Sequence, residues 1–217
     1  MPFNILIIII SIIVLVFSAI LHEVAHGLVA DRLGDPTARL MGRLTLNPLK
    51  HLDPFLSVLL PLILIVSGSP IIFGGAKPVP VDPYNLRDGR KDLAIVSLAG
   101  PMTNVLLAVA AALLIHLLQL FSLPLSPIIL NSIFLLLQII VQYNILLAIF
   151  NLLPIPPLDG SKIFSLILPE HEAAAFMSIG QIGIFILFLL LAFPIGGFSL
   201  ESIINSLYQL SLHLLGL

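Results

Sequence analysis

Four apolar stretches, each long enough to cross a bilayer, constrain the fold of this chain more than any other feature. A spanning helix needs about 20 mainly apolar residues, and the stretches cover residues 4–29, 93–121, 127–152 and 173–194. A fifth stretch, 198–217, is weaker because it carries an acid, an amide and a histidine, and it either spans or lies along the interface. We therefore predict an all-α polytopic membrane protein with a single domain over residues 1–217.

The composition indicates the same class of protein. Hydrophobic residues make up 59% of the chain and charged residues 9%, with a mean hydropathy of +1.18, values that an ordinary soluble domain does not reach. The net charge of −2 is too small to indicate a nucleic-acid partner. Because cysteine is absent, a disulfide framework and a thiol nucleophile are excluded. The lipid bilayer is the partner that the composition predicts.

Residues 54–75 are apolar and of spanning length, but Pro61 and the Gly-Ser-Pro sequence at 68–70 interrupt them. Eight of the nine basic residues flank this segment: Arg32, Arg39, Arg43, Lys50, Lys77, Arg87, Arg90 and Lys91. Loops rich in Lys and Arg tend to stay in the cytoplasm, so both flanks are predicted to lie on the same side. The segment is then a re-entrant hairpin rather than a span.

The first apolar stretch ends in HEVAHG, residues 22–27. At about 100° per residue, His22 and His26 lie one turn apart on one helix face, so both imidazoles can reach the same ion. Zinc suits such a pair, and a hydrolytic zinc takes three protein ligands and leaves its fourth position to water. Glu23, next to the first ligand, is placed to accept the proton of that water. We predict one Zn²⁺ per chain.

The best candidate for the third ligand is Asp159, in NLLPIPPLDG at residues 151–160. It follows a helix end broken by prolines and is the only acidic residue between Asp92 and Glu170. A carboxylate next to an apolar run is costly unless it is paired or bound to a metal. The alternative is an interfacial aspartate that caps the turn before Lys162.

The direction of the helices links these two observations. His26 lies at the end of the first span and Asp159 at the end of the 127–152 span, so they meet only if both spans run the same way. A full crossing by residues 54–75 would reverse the 93–121 span and separate the ligands. A re-entrant hairpin lets three spans alternate and brings the ligands together near the cytoplasmic surface.

With these motifs, the chain resembles the site-2 protease family of intramembrane zinc metalloproteases, the M50 peptidases, in a minimal form without PDZ or CBS domains. The resemblance rests on HEVAHG at 22–27, GGAKPVPV at 74–81, AGPMTN at 99–104 and NLLPIPPLDG at 151–160. It implies zinc ligation by His22, His26 and Asp159, with Glu23 as the catalytic base. It also implies a three-helix catalytic core plus one or two further spans, and substrates that are transmembrane segments of other membrane proteins.

Two further elements are expected near the site. Within residues 37–47, polar and apolar side chains alternate at RLTLN, so a short β element is predicted here. Its exposed edge is expected to hold an unwound substrate by backbone pairing. Asn104 offers a donor for the developing oxyanion or for the substrate backbone. The alternative for Asn104 is a hydrogen bond between helices.

The predicted function is zinc-dependent cleavage of transmembrane segments, in the cell membrane of a prokaryote, with the active site toward the cytoplasm. The alternative from another class is a divalent-metal transporter that uses the same His, Glu and Asp cluster as a transit site. It is disfavoured because the sequence has no second polar constellation for the other half of the membrane. A third interpretation is a non-catalytic scaffold that keeps zinc for stability, and the oligomeric state is left open.

Overall fold

The computed structural model describes residues 5–52, 59, 77–121, 124–194, 196–197 and 199–217. In chain order, the α-helices are α1 (Ile5–Leu33), α2 (Thr37–Leu40), α3 (Gly89–Leu120), α4 (Pro127–Asn151), α5 (Asp159–Phe164), α6 (Glu170–Met177), α7 (Ile182–Ala192) and α8 (Leu200–Leu214). Short 3₁₀ helices cover Pro48–Lys50, Pro83–Asn85 and Ser165–Ile167.

Three of these helices, α1, α3 and α4, are long and apolar enough to cross a membrane. They contain 29, 32 and 25 residues, and at about 1.5 Å per residue each exceeds the roughly 30 Å of the hydrocarbon core. Their outward faces expose large apolar side chains, among them Ile5, Ile12, Leu106, Leu113 and Ile128. The prediction of an all-helical polytopic membrane protein is confirmed over the described residues.

Helix α3 packs against both α1 and α4 and runs antiparallel to them. Its start lies beside the end of α1, where the Arg87 N–H donates to the Leu33 carbonyl oxygen at 3.3 Å. Alanines on α3 leave room for larger side chains of α4, and this buried cluster contains Ala108, Ala111, Ala112, Leu137, Val141 and Ile145. Helices α1 and α4 therefore run in the same direction, which places His26 and Asp159 on the same side of the membrane.

The predicted span over residues 173–194 is not one unbroken helix, and whether it crosses the membrane stays a prediction. Helices α6 and α7 divide this stretch and are bent by 76° relative to each other, so together they form at most one broken span. Gly180 lies between them with a φ of +51°, a left-handed conformation that glycine adopts readily and that ends a right-handed helix. Hydropathy averaged over the stretch does not register such a break.

The C-terminal helix α8 covers most of residues 198–217, the stretch predicted either to span or to lie along the interface. It has 15 residues, or about 22 Å, which is shorter than the hydrocarbon core. Its side chains Tyr208 and Leu212 pack against the buried cluster between α3 and α4. By length alone α8 is too short to cross the membrane, and whether residues 198–217 lie along the interface stays a prediction.

The short β element predicted over residues 37–47 is not confirmed, because the structure shows no strand there. Residues Thr37–Leu40 form α2, and Gly42 follows with a φ of +62°. The Arg43 N–H donates to the Ala38 carbonyl and the Gly42 N–H to the Arg39 carbonyl, which is a Schellman helix end. The Gly42 and Arg43 N–H groups are therefore used in this cap. The predicted re-entrant segment 54–75 lies outside the described residues except for Leu59.

Asp35 joins the loops at this end of the molecule. It is fully buried and accepts hydrogen bonds from the backbone and hydroxyl of Thr37, from the Asp82 N–H at 2.7 Å and from Asn85 Nδ2 at 3.1 Å. Burial alone would raise the pKa of Asp35, but these hydrogen bonds outweigh it and hold the pKa below its ordinary value. The carboxylate thus fixes the end of α1 to residues 82–85.

Replacing Asp35 with Asn should lower the free energy of unfolding by about 1–3 kcal/mol near neutral pH, because hydrogen bonds to a buried charge are lost. A carboxylate with a lowered folded pKa contributes stability above its unfolded pKa of about 4, and that stability is lost as the pH falls below it. Thermal unfolding in detergent between pH 6 and pH 3 should therefore show a steeper loss for wild type than for Asp35→Asn.

The control for this measurement is Asp88→Asn, because the Asp88 side chain is 65% exposed. It should unfold at the wild-type temperature throughout this pH range. Equal unfolding temperatures for Asp35→Asn and wild type at pH 6 would contradict the structural role given to Asp35.

Candidate metal centre

The side chains of His22, His26 and Asp159 meet at one point. The Nε2 atoms of His22 and His26 lie 3.1 and 3.0 Å from Asp159 Oδ2, and 3.0 Å from each other. All three residues are buried. In the part of the chain that the structure describes, this is the one group of three His, Cys, Asp or Glu residues whose ligand atoms converge closely enough to hold a metal ion.

The second nitrogen of each imidazole faces a hydrogen-bond acceptor. His26 Nδ1 lies 2.7 Å from the Val96 carbonyl oxygen, and His22 Nδ1 lies 2.6 Å from Asn104 Oδ1. The Asn104 amide nitrogen donates to Asn144 Oδ1 at 2.8 Å, which assigns the Asn104 oxygen as the acceptor toward His22. Both Nδ1 atoms therefore carry the proton, and both Nε2 atoms present a lone pair to the centre.

Three lone-pair donors within 3.1 Å of one another repel each other unless a cation lies among them. Two imidazole nitrogens and one carboxylate oxygen match the donor set of a hydrolytic zinc site, which keeps one further position open. The residues present therefore fit zinc and would hold it through His22 Nε2, His26 Nε2 and Asp159 Oδ2.

Gly100 of α3 forms the wall behind the histidines. A Cβ atom at this position would overlap the Nε2 atoms of both His22 and His26. The close approach of α3 to α1 at this level therefore requires glycine, although glycine inside a helix is unfavourable by roughly 0.5–1 kcal/mol relative to alanine.

Asp159 reaches the histidines from the turn that follows α4. It is the first residue of α5, and Leu158 is the N-cap without a side-chain cap bond, so the predicted capping alternative does not describe Asp159. Gly160 presses against the carbonyl group of Leu152, where a Cβ would overlap. Lys162 Nζ lies 3.1 Å from Asp159 Oδ1. The two carboxylate oxygens thus have different partners.

A cavity of about 460 Å³ opens beside the three residues, and Glu23 lines it. The Val79 N–H donates to Glu23 Oε2 at 2.7 Å. The other groups in its wall are partly apolar and include Val81, Leu93, Ser97, Asn151, Leu158, Lys162 and Met177. The predicted base therefore faces the same space as the metal ligands.

Residues 77–82 run along this cavity in an extended path. Prolines at 78 and 80 fix their own φ angles and restrict the residues before them to extended conformations. The Arg43 guanidinium, which is buried, donates to the carbonyl oxygens of Lys77 at 2.8 Å and Pro78 at 3.2 Å. This anchoring positions the Val79 amide against Glu23.

Asn104 lies behind His22 and not in the cavity wall. It is fully buried, and its amide nitrogen also approaches the Ser18 carbonyl oxygen at 3.5 Å. Asn144, equally buried, donates to Ser18 Oγ at 2.9 Å. The prediction that Asn104 contacts substrate stays untested, while the observed contacts agree with the alternative of hydrogen bonds between helices.

Sequence reasoning missed three contacts at the site: the Val96 carbonyl on His26, the Val79 amide on Glu23, and the anchoring by Arg43. Two of these groups belong to the backbone, which carries no sequence signal. Arg43 was visible only as one of many basic loop residues. A buried arginine can be recognised only once the residues packed around it are known.

Replacing Gly100 with Ala should lower the zinc content of the purified protein well below one per chain, because the added methyl group displaces both histidines. Alanine is the better helix former by about 1 kcal/mol, so helix content by circular dichroism should not fall. The control is Met102→Ala on the same helix, because Met102 is 42% exposed. One tightly held zinc in Gly100→Ala would contradict the wall assigned to Gly100.

Replacing Asn104 with Leu should weaken zinc affinity by about 10- to 100-fold, because the acceptor that fixes the His22 ring is lost. Competition with a chelator of known affinity measures this, with the exposed Asn205→Leu on α8 as control. Unchanged zinc affinity together with slower turnover would instead indicate that Asn104 contacts substrate.

Known proteins with similar sequences identify the family of this chain. The family model described as Peptidase family M50 matches residues 10–132 and 124–193, which include His22, Glu23, His26 and Asp159. YwhC of Bacillus subtilis, by name a zinc metalloprotease, is 35% identical over 90% of this chain and 85% of its own length. No significant match to a solved structure was found.

Rip2 of Mycolicibacterium smegmatis, also a zinc metalloprotease by name, is 36% identical over 82% of this chain and 64% of its own length. Rip2 of Mycobacterium tuberculosis is 34% identical over 66% of this chain and 51% of its own length. The chain thus spans less than two thirds of either Rip2 protein. The extent of the family match and the identity with YwhC show that the chain belongs to peptidase family M50.

Proposed function

We propose that this protein is a zinc-dependent intramembrane endopeptidase that cleaves transmembrane segments of other membrane proteins. The observation that carries the proposal is the cavity that Glu23 shares with the His22, His26 and Asp159 cluster, in the C-terminal half of a membrane-length helix. A base, a three-donor metal site and space for a peptide are the parts that metal-assisted hydrolysis requires. The family and the names of the relatives support this reading.

Zinc held by these three residues would polarise the scissile carbonyl and make a water molecule more acidic. Glu23 accepts the proton of the attacking water and delivers it to the leaving amine nitrogen, so one carboxylate serves both halves of the reaction. The Val79 amide holds Glu23 Oε2 and thereby restricts the carboxylate to orientations that face the cavity. The acceptors at Asn104 and Val96 keep both imidazoles in the tautomer that leaves Nε2 free.

The depth of the site supports a membrane-embedded substrate. His22 lies eleven residues before Leu33, the last residue of α1, which corresponds to about 17 Å along the helix axis. A substrate helix that reaches this depth has its amides bonded internally, so it must unwind before hydrolysis. The cavity beside the site has room for a short extended segment.

We also propose that the site faces the cytoplasm of a prokaryotic cell. Basic side chains gather where α1 ends and α3 begins, including Arg32, Arg39, Arg87, Arg90 and Lys91, and such loops tend to stay in the cytoplasm. The relatives come from bacteria. The transporter alternative finds no support in these comparisons.

Replacing Glu23 with Gln should reduce cleavage by at least about 10²-fold, the usual contribution of a general base, while zinc remains at one per chain. The assay is purified protein reconstituted with candidate single-span substrates and scored by product mass, with and without a chelator. Glu201→Gln, on the exposed start of α8, should cleave like wild type. Full activity of Glu23→Gln would remove the assigned base. Substrate-independent metal flux in wild type would favour a transporter.

A further inference from the structure

The two carboxylate oxygens of Asp159 are held by different groups. Oδ2 faces the Nε2 atoms of His22 and His26, while Oδ1 lies 3.1 Å from Lys162 Nζ. An ammonium group at this distance donates a charge-assisted hydrogen bond to the carboxylate. One oxygen of Asp159 therefore has a protein partner of its own.

The number of oxygens that Asp159 gives to an ion affects how readily the ion can also bind water or substrate. A hydrolytic zinc has three protein donors and keeps a further position for water or substrate, whereas a closed set of four is typical of structural zinc. Two histidine nitrogens and one oxygen make three donors, and a second oxygen would make four. Lys162 thus contacts Asp159 Oδ1, the oxygen that would be the fourth donor.

We propose that Lys162 is a positioning residue that holds Asp159 as a one-oxygen ligand and so keeps the remaining zinc position open. The inference rests on the zinc site of the proposed function and deepens it. Lys162 acts through Asp159 Oδ1, and the role requires no contact between Lys162 and substrate.

The local structure favours this role over a chance surface pair. Asp159 and Lys162 are three residues apart on α5, so their side chains share one face. The Ser161 hydroxyl donates to the Leu158 carbonyl at 2.6 Å and steadies the turn that carries the pair. The side chains of Asp159 and Lys162 are only 10% and 30% exposed, and a shielded pair is stronger than an exposed one.

The chain offers a matched pair for comparison. Asp88, the N-cap residue of α3, and Lys91 have the same spacing; Lys91 Nζ lies 3.4 Å from Asp88 Oδ2, but their side chains are 65% and 68% exposed. Lys91→Met therefore breaks a lysine–aspartate pair of the same kind without touching the metal centre. It controls for the loss of a positive charge and for the new methionine.

The test uses the full chain in detergent, with cobalt in place of zinc. Cobalt reports its surroundings, because its visible absorption depends on the donor atoms bound to it and on their geometry. Lys162→Met removes the ammonium but keeps an apolar stem, and Lys162→Arg retains a charged donor. This spectrum needs no substrate, so it remains informative even if the proposed proteolysis fails.

In Lys162→Met, the cobalt spectrum should differ from that of wild type, because a second Asp159 oxygen takes the position otherwise left to water or adds to the donors already present. Turnover of a cleaved substrate should fall by about 10- to 100-fold, the usual effect of losing a group that orients a metal ligand, with KM little changed. Lys162→Arg should recover both properties, and Lys91→Met should match wild type.

A wild-type cobalt spectrum in Lys162→Met would overturn the inference, whether or not turnover falls. If Lys162→Met does not fold, the infrared carboxylate bands of wild-type protein labelled with ¹³C-aspartate decide the question, compared before and after zinc is added. A wide separation between the two stretching bands of the zinc-sensitive carboxylate supports a one-oxygen ligand. A narrow separation indicates a two-oxygen ligand and overturns the proposal.

Discussion

The mutual repulsion of three lone-pair donors, held within 3.1 Å of one another by two distant parts of the chain, is the interaction on which the rest of this structure depends. A metal cation bound among them would make that arrangement favourable. The surrounding residues favour the same arrangement. The acceptors at Asn104 and Val96 leave the Nε2 lone pairs of both histidines facing the centre, and Gly100 leaves space for both rings. The burial of His22, His26 and Asn104 in the membrane helices is thereby accounted for.

The sequence predicts the parts of this arrangement that follow from spacing and length. Apolar length identifies α1, α3 and α4, and the four-residue spacing of His22 and His26 places them on one face. Asp159 follows from helix direction, because a lone acid in an apolar region needs a partner on the same side. Apolar length, residue spacing and the order of the helices can all be determined from a single sequence.

What the sequence does not predict depends on three-dimensional packing or on one glycine. Gly42 turns an apparent strand into a helix end, and Gly180 divides a stretch whose hydropathy suggests a single span. The Val79 amide on Glu23 is a backbone contact between residues 56 positions apart, so no side-chain pattern reveals it. Asn104 was noticed as a polar residue, but its direction toward His22 depends on the register between α1 and α3.

The most direct test of the account is X-ray absorption at the zinc edge of the purified protein, combined with its zinc content, for wild type and Asp159→Ala. The account predicts about one zinc per wild-type chain, bound by two imidazoles and one carboxylate, with weaker binding and no carboxylate in Asp159→Ala. An identical zinc environment in both proteins would contradict the convergence of the two distant helices on one ion.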